Sequence, residues 1–154
     1  MKSEIPMSRG RVLIVDDEPE LLEGMKMLLE IEGIDVIIHG SMITLPLILR
    51  QADPDVVLLD ISLPALSGAS ALRSGLRRLL KTDGALVLFS GRSERELTAL
   101  TQELGADGFI TKSDGPMEIV RHIQIWIDRR RLKHATERSE GLNAANRTAF
   151  AIAR

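Results

Sequence analysis

Five short apolar runs, each followed by a stretch with helical spacing, constrain what this chain can fold into more than any other feature. The runs are "VLIV" at 12–15, "IDVII" at 34–38, "DVVLLD" at 55–60, "ALVLF" at 85–89 and "GFIT" at 108–111. Short apolar runs with β-branched enrichment fit strands covered on both faces. Between and after them, apolar residues recur every three or four positions: Leu21, Leu22, Met25, Leu28 and Leu29; Leu45, Ile48 and Leu49; Leu72, Leu76, Leu79 and Leu80; Leu97, Leu100 and Leu104. A last helix, expected over 116–132, turns Ile119, Ile123, Trp126 and Ile127 inward. Strand then helix, five times over, calls for an α/β fold: a mostly parallel sheet with helices on both faces, joined by right-handed crossovers.

Local punctuation agrees. Pro19 can open the first helix, and Gly33 can close it in a left-handed conformation. Thr44 as N-cap places Pro46 in the first turn of a short second helix, where a missing N–H does little harm. Ser93 and Glu96 have the spacing of a capping box. In an open sheet of this kind ligands bind beyond the carboxyl ends of the strands. Asp16 and Asp17, Asp60, Ser90 and Lys112 all fall at or just past such ends.

Those residues set a problem in electrostatics. Asp16, Asp17 and Glu18 follow a buried strand directly, and Asp60 ends another. Like charges brought together in a partly buried place need a compensating cation or proton. Taken singly, each residue has an ordinary reading as a cap, a turn or a solvated side chain. Together, the carboxylates suit a hard divalent cation such as Mg²⁺, which takes oxygen ligands in an octahedral shell. Lys112 adds an ammonium and Ser90 a hydroxyl donor, so the set is suited to a phosphoryl group.

The arrangement resembles the receiver domain of bacterial two-component response regulators, over about 11–132. The residues that carry the likeness are "VDDE" (Asp16, Asp17), "LLDISLPALSG" (Asp60), "LFSGR" (Ser90) and "GFITK" (Lys112). The resemblance implies a flavodoxin-like (βα)5 sheet with strand order 2-1-3-4-5. It implies that Asp60 is the phosphoacceptor, taking a phosphoryl group from a sensor histidine kinase. Mg²⁺ would be held by Asp16, Asp17, Asp60 and the backbone carbonyl of Ser62. Lys112 would pair with a phosphoryl oxygen. Ser90 would donate its hydroxyl and be drawn inward, with Phe109 following as a switch residue, although a buried aromatic at a strand end is equally read as core packing. Pro64 and Gly68 match the loop after the phosphoacceptor, and Arg92 lies where the family tunes the phosphoryl lifetime. Ser113 departs from the pattern: the family usually has proline there, often after a cis bond, so the aim of Lys112 depends on how the loop before Pro116 runs.

The implied function is a signalling phosphoacceptor rather than an enzyme, acting on a downstream protein or output domain. A homodimer through the face of the fourth helix, fifth strand and fifth helix is part of the same expectation. Two rivals use similar residues. A haloacid-dehalogenase-like phosphatase needs a second Asp where Ser62 stands, and a pseudo-receiver scaffold has no need of the full set Asp16, Asp17, Asp60, Ser90 and Lys112. No glycine-rich phosphate loop follows the first strand, which disfavours nucleotide binding.

Composition narrows the setting. The 154 residues, 44% of them hydrophobic, suffice for one core with some excess, read as an N-terminal extension over 1–10, a receiver domain over 11–132 and a tail or linker over 133–154 that can be helical. The absence of cysteine excludes disulfides and thiol chemistry. A net charge of -2 gives no reason to expect nucleic-acid binding by the domain. With no apolar run of membrane-spanning length and no signal-peptide core in "MKSEIPMSRG", the expected location is cytoplasmic, away from membranes. In the tail, the basic residues Arg129, Arg130, Arg131 and Lys133 read as a solvated helix C-terminus, favourably placed against the helix dipole. Beyond Gly141, Leu142, Ala145, Ala149 and Ile152 fit one side of a separate short helix.

Overall fold

The computed structural model describes residues 8–62, 76–78 and 80–152. In chain order they form β1 (Gly10–Val15), α1 (Pro19–Ile31), β2 (Ile34–His39), α2 (Leu45–Ala52), β3 (Val56–Asp60), a helix α3 seen at 76–78 and 80, β4 (Ala85–Ser90), α4 (Glu94–Leu104), β5 (Gly108–Thr111) and α5 (Pro116–Ile152). The strands make one sheet in the order β2-β1-β3-β4-β5, with every pairing parallel. This is the doubly wound arrangement expected from the alternation of runs. Leu72 and Leu79, assigned above to the third helix, lie outside the described residues, as do Pro64 and Gly68.

The runs are continuous rather than alternating because both sides of the sheet are covered. Leu13, Val15, Val57, Leu59, Leu86 and Leu88 face a layer made by α2, α3 and α4, through Leu45, Leu49, Leu76, Leu80, Leu97 and Leu104. Val12, Ile14, Leu58, Val87 and Phe89 face α1 and α5, through Leu22, Met25, Leu29, Ile119, Ile123 and Ile127. Period-two strands thus feed two cores at once. Met25 is buried and Met27 exposed, as their places on the α1 stripe require.

The caps position these helices. Pro19 is the first residue of α1, and Gly33, at φ 78°, closes it. α2 is short, with Thr44 at its N-cap and Pro46 in the first turn, but the Thr44 hydroxyl makes no cap bond and instead lies 2.8 Å from His39 Nε2. The Ser93–Glu96 capping box is complete, with both reciprocal bonds formed.

One expectation is corrected. α5 does not stop near 132, and no separate helix begins after Gly141: a single helix of 37 residues runs from Pro116 to Ile152. Its buried residues end at Ile127, where the amphipathic pattern ends, yet the backbone continues. Ala, Arg, Glu, Leu and Lys dominate the continuation, proline is absent, and a lone glycine costs only about 1 kcal/mol. The basic run consequently lies within the helix rather than at its C-terminus. Arg130 is its structural member: Nη1 donates to Asp55 Oδ1 at 2.9 Å and Nη2 to Asp53 Oδ1 at 3.1 Å, tying α5 to the approach to β3.

Candidate functional site

The parallel register delivers the predicted residues to one edge. Asp60 is the last residue of β3 and Ser90 the last of β4, while Asp16 and Lys112 follow the ends of β1 and β5. The Lys112 amide donates to the Ser90 carbonyl at 2.8 Å, which fixes the lysine beside the neighbouring strand. Asp16, Asp60 and Ser90 are buried, whereas Asp17 points to solvent. One oxygen from each of Asp16, Asp17 and Asp60 lies within 4.8 Å of the others.

The two buried carboxylates are each half satisfied. Asp60 Oδ1 accepts from the Ser62 amide and hydroxyl, both at 2.9 Å. Asp16 Oδ1 accepts from the Glu18 amide at 3.0 Å. The Oδ2 atoms of both residues are buried and have no hydrogen-bond partner. They face the Lys112 ammonium at 2.9 Å (Asp16) and 3.4 Å (Asp60), contacts that are close ion pairs without hydrogen-bond direction. Lys112 Nζ makes its directed hydrogen bond to Glu18 Oε1 at 3.3 Å, and it sits 5.3 Å from the centre of the buried Phe89 ring.

The electrostatics follow from this crowding. Burial pushes the Asp16 carboxyl above its ordinary range, and the negative charge of Asp60 adds to the effect against the opposing pull of Lys112 and the Glu18 amide. For Lys112, burial alone would lower the ammonium's pKa. Its contacts with Asp16, Asp60 and Glu18 outweigh that and hold it raised, so the lysine is cationic. Four carboxylates, Asp16, Asp17, Asp60 and Glu18, against one ammonium leave the site acidic. Two unbonded buried oxygens beside a third carboxylate are the donor set that a hard cation takes. The residues present therefore fit a divalent ion.

Ser113 does not disturb the aim of Lys112. No cis peptide occurs among the described residues. The loop is braced instead by hydroxyls: Thr111 Oγ1 and Ser113 Oγ lie 2.7 Å apart, the Ser113 amide donates to Thr111 Oγ1 at 3.3 Å, and the Asp114 amide donates to the Thr111 carbonyl at 3.2 Å. Ser90 Oγ accepts from the Arg92 amide at 3.2 Å. Phe109 is half-buried and packs against the core layer under α2, α3 and α4. The sequence marks Glu18 only as the last of three consecutive acids and Phe89 only as the end of an apolar run, and assigns neither a role at the site. The run of three acids was the available signal for Glu18, and nothing short of the sheet register placed Phe89 beneath Lys112.

Comparison with known proteins agrees with the fold. The model of the response regulator receiver domain matches residues 12–124. DNA-binding response regulator MtrA of Mycolicibacterium smegmatis is 31% identical over 123 residues, covering 79% of this chain and 52% of the relative. Transcriptional regulatory protein KdpE of Mycobacterium tuberculosis is 30% identical over 118 residues, covering 77% and 51%. Among solved structures, the receiver domain of the TMAO respiratory system response regulator TorR superposes with a TM-score of 0.65 at 30% identity, covering 78% of this chain and 98% of that one. The signal receiver domain of a LuxO repressor protein from Vibrio parahaemolyticus reaches a TM-score of 0.68 at 22% identity, over 84% and 98%, a likeness of fold. The chain belongs to the response regulator receiver domain family, the signalling module of two-component phosphorelays. It spans about half the length of the curated relatives it matches.

Proposed function

We propose that Asp60 accepts a phosphoryl group from the phosphohistidine of a sensor kinase. The observation that carries this reading is the state of Asp60 itself. Its Oδ1 is held by Ser62 while its Oδ2 is unbonded, faces an ammonium, and lies on the edge where Ser90 also ends its strand. In the transfer, a carboxylate oxygen of Asp60 attacks phosphorus, the O–P bond forms as the N–P bond to the donor imidazole breaks, and an acyl phosphate results. Lys112 supplies positive charge to the phosphoryl oxygens, and Ser90 donates its hydroxyl to one of them. Asp16, Asp17, Asp60 and the Ser62 carbonyl would hold Mg²⁺, which when bound neutralises charge on the transferring group. Ser90 drawn toward the phosphoryl group, with Phe109 following, would carry the switch.

The reading extends to the setting. The receiver unit spans 11–132, the helical continuation of α5 leads away from it, and 1–10 precede it. A histidine kinase supplies the phosphoryl group, and a downstream protein or output domain reads the switch. The face of α4, β5 and α5 serves a homodimer, and the module works in the cytoplasm. No described helix is long and apolar enough to cross a membrane.

The test is phosphotransfer from a radiolabelled, autophosphorylated histidine kinase. Label that moves to the wild type, is released by hydroxylamine and is absent from Asp60→Asn supports the acyl phosphate. Label stable to hydroxylamine, or retained in Asp60→Asn, refutes it.

A further inference from the structure

Lys112 is the cation of the site, yet its one directed hydrogen bond goes to neither buried aspartate. It goes to Glu18, at 3.3 Å, while the closer Asp16 contact and the Asp60 contact lack hydrogen-bond direction. Glu18 stands at the mouth of the site with its side chain 62% exposed, whereas Lys112 is 16% exposed. Its backbone holds the site as well, since the Glu18 amide donates to Asp16 Oδ1. Its side chain makes no cap bond for α1, although it occupies the N-cap position. A helix-capping role therefore does not account for where the carboxylate points.

We propose that Glu18 is a positioning residue that holds the Lys112 ammonium at the mouth of the site and competes with an incoming phosphoryl group for it. The proposal rests on the reading of Asp60 as phosphoacceptor and adds a residue that restrains the reaction. An ammonium has three donors. With one directed at Glu18 and the ammonium also held against Asp16 at 2.9 Å and Asp60 at 3.4 Å, none is left over for phosphoryl oxygen, and the exposed Glu18 bond is the contact that an incoming group meets first. A carboxylate at the entrance also repels an anionic donor. Both effects act in one direction: loss of the Glu18 charge speeds phosphoryl uptake.

Two measurements on Glu18→Ala test this separately, since a glutamine oxygen could still accept from the ammonium. The first needs no phosphoryl donor and no metal: acetylation of Lys112 by acetic anhydride, followed by peptide mass spectrometry, with Lys26 and Lys133 as internal references. Removing the side chain breaks the hydrogen bond on the solvent side of the ammonium and uncovers the amine, so labelling of Lys112 rises at least threefold over the references. Unchanged labelling overturns the proposal, because a side chain merely in solvent would leave Lys112 as it was. The second is the rate of phosphoryl uptake from acetyl phosphate with Mg²⁺, expected to rise severalfold. A raised labelling with an unchanged or lowered uptake rate overturns the competition. No uptake by either protein overturns the Asp60 reading itself, a failure that the labelling result distinguishes from failure of the Glu18 contact.

Discussion

Replacing Asp60 by Asn should make the metal-free protein more stable, and the structure gives the size. At an effective dielectric of about 20, the Lys112 ammonium at 3.4 Å attracts Asp60 by about 5 kcal/mol. Asp16, with an oxygen within 4.8 Å, repels it by about 3.5 kcal/mol. Solvent-facing Asp17 at a similar distance repels it by about 1 kcal/mol after screening by water. These contributions nearly cancel. What remains is the cost of burying Asp60 Oδ2 without a hydrogen bond, about 1–3 kcal/mol. Asparagine keeps an oxygen to accept both Ser62 bonds and puts an uncharged amide where Oδ2 stood between Lys112 and the acids. We expect a gain of about 2 kcal/mol, a rise in Tm of about 4–8 °C for a chain of this size. The assay is thermal unfolding by circular dichroism in EDTA and again in millimolar MgCl₂. The wild type should gain stability with Mg²⁺ by mass action, and the variant should gain much less. A variant that melts at or below the wild type in EDTA would refute the reasoning, as would an equal response to Mg²⁺.

Other substitutions separate packing, pH dependence and anchoring. A Cβ at Gly84 would overlap the backbone carbonyl oxygen of Pro54, so Gly84→Ala should cost about 2 kcal/mol in denaturant melts. A Cβ at Gly141 meets nothing within 4 Å on exposed helix, so Gly141→Ala should raise the helicity of α5 in circular dichroism. Glu96 is held below its usual value near 4.5 by the Ser93 hydroxyl and amide, so its contribution is present above that value and lost as pH falls through the lowered one. The Tm difference between wild type and Glu96→Gln should accordingly shrink as pH falls below about 4.5. Arg130→Met takes one guanidinium bond from the half-buried Asp55, which keeps the Arg11 amide, and should lower stability by about 1–2 kcal/mol, with faster hydrogen exchange at the start of β3.

The fold was legible because its signal is carried by short, uninterrupted runs. Val12–Val15 and Leu58–Leu59 are apolar on both sides of the strand only because helices cover both faces, and that pattern admits few alternatives. The gathering of Asp16, Asp60, Ser90 and Lys112 at one edge was legible for the same reason, since each ends or follows one of those runs. The extent of α5 was not. Past Ile127 no buried stripe exists to announce a helix, and propensity alone carries the backbone on. The Arg130 pairs with Asp53 and Asp55, and the Glu18 bond to Lys112, join residues far apart in sequence. Only the register of the sheet brings them together. The loop at Ser113 was ambiguous in sequence because two hydroxyls do there what a proline ring was expected to do.

The measurement that bears most directly on the central claim is intact-mass spectrometry after incubation with acetyl phosphate, with and without Mg²⁺, on wild type and Asp60→Asn. The account predicts one added phosphoryl group on the wild type, dependent on Mg²⁺ and missing from the variant. No addition where a control receiver is modified, or an addition that survives in Asp60→Asn, would contradict it.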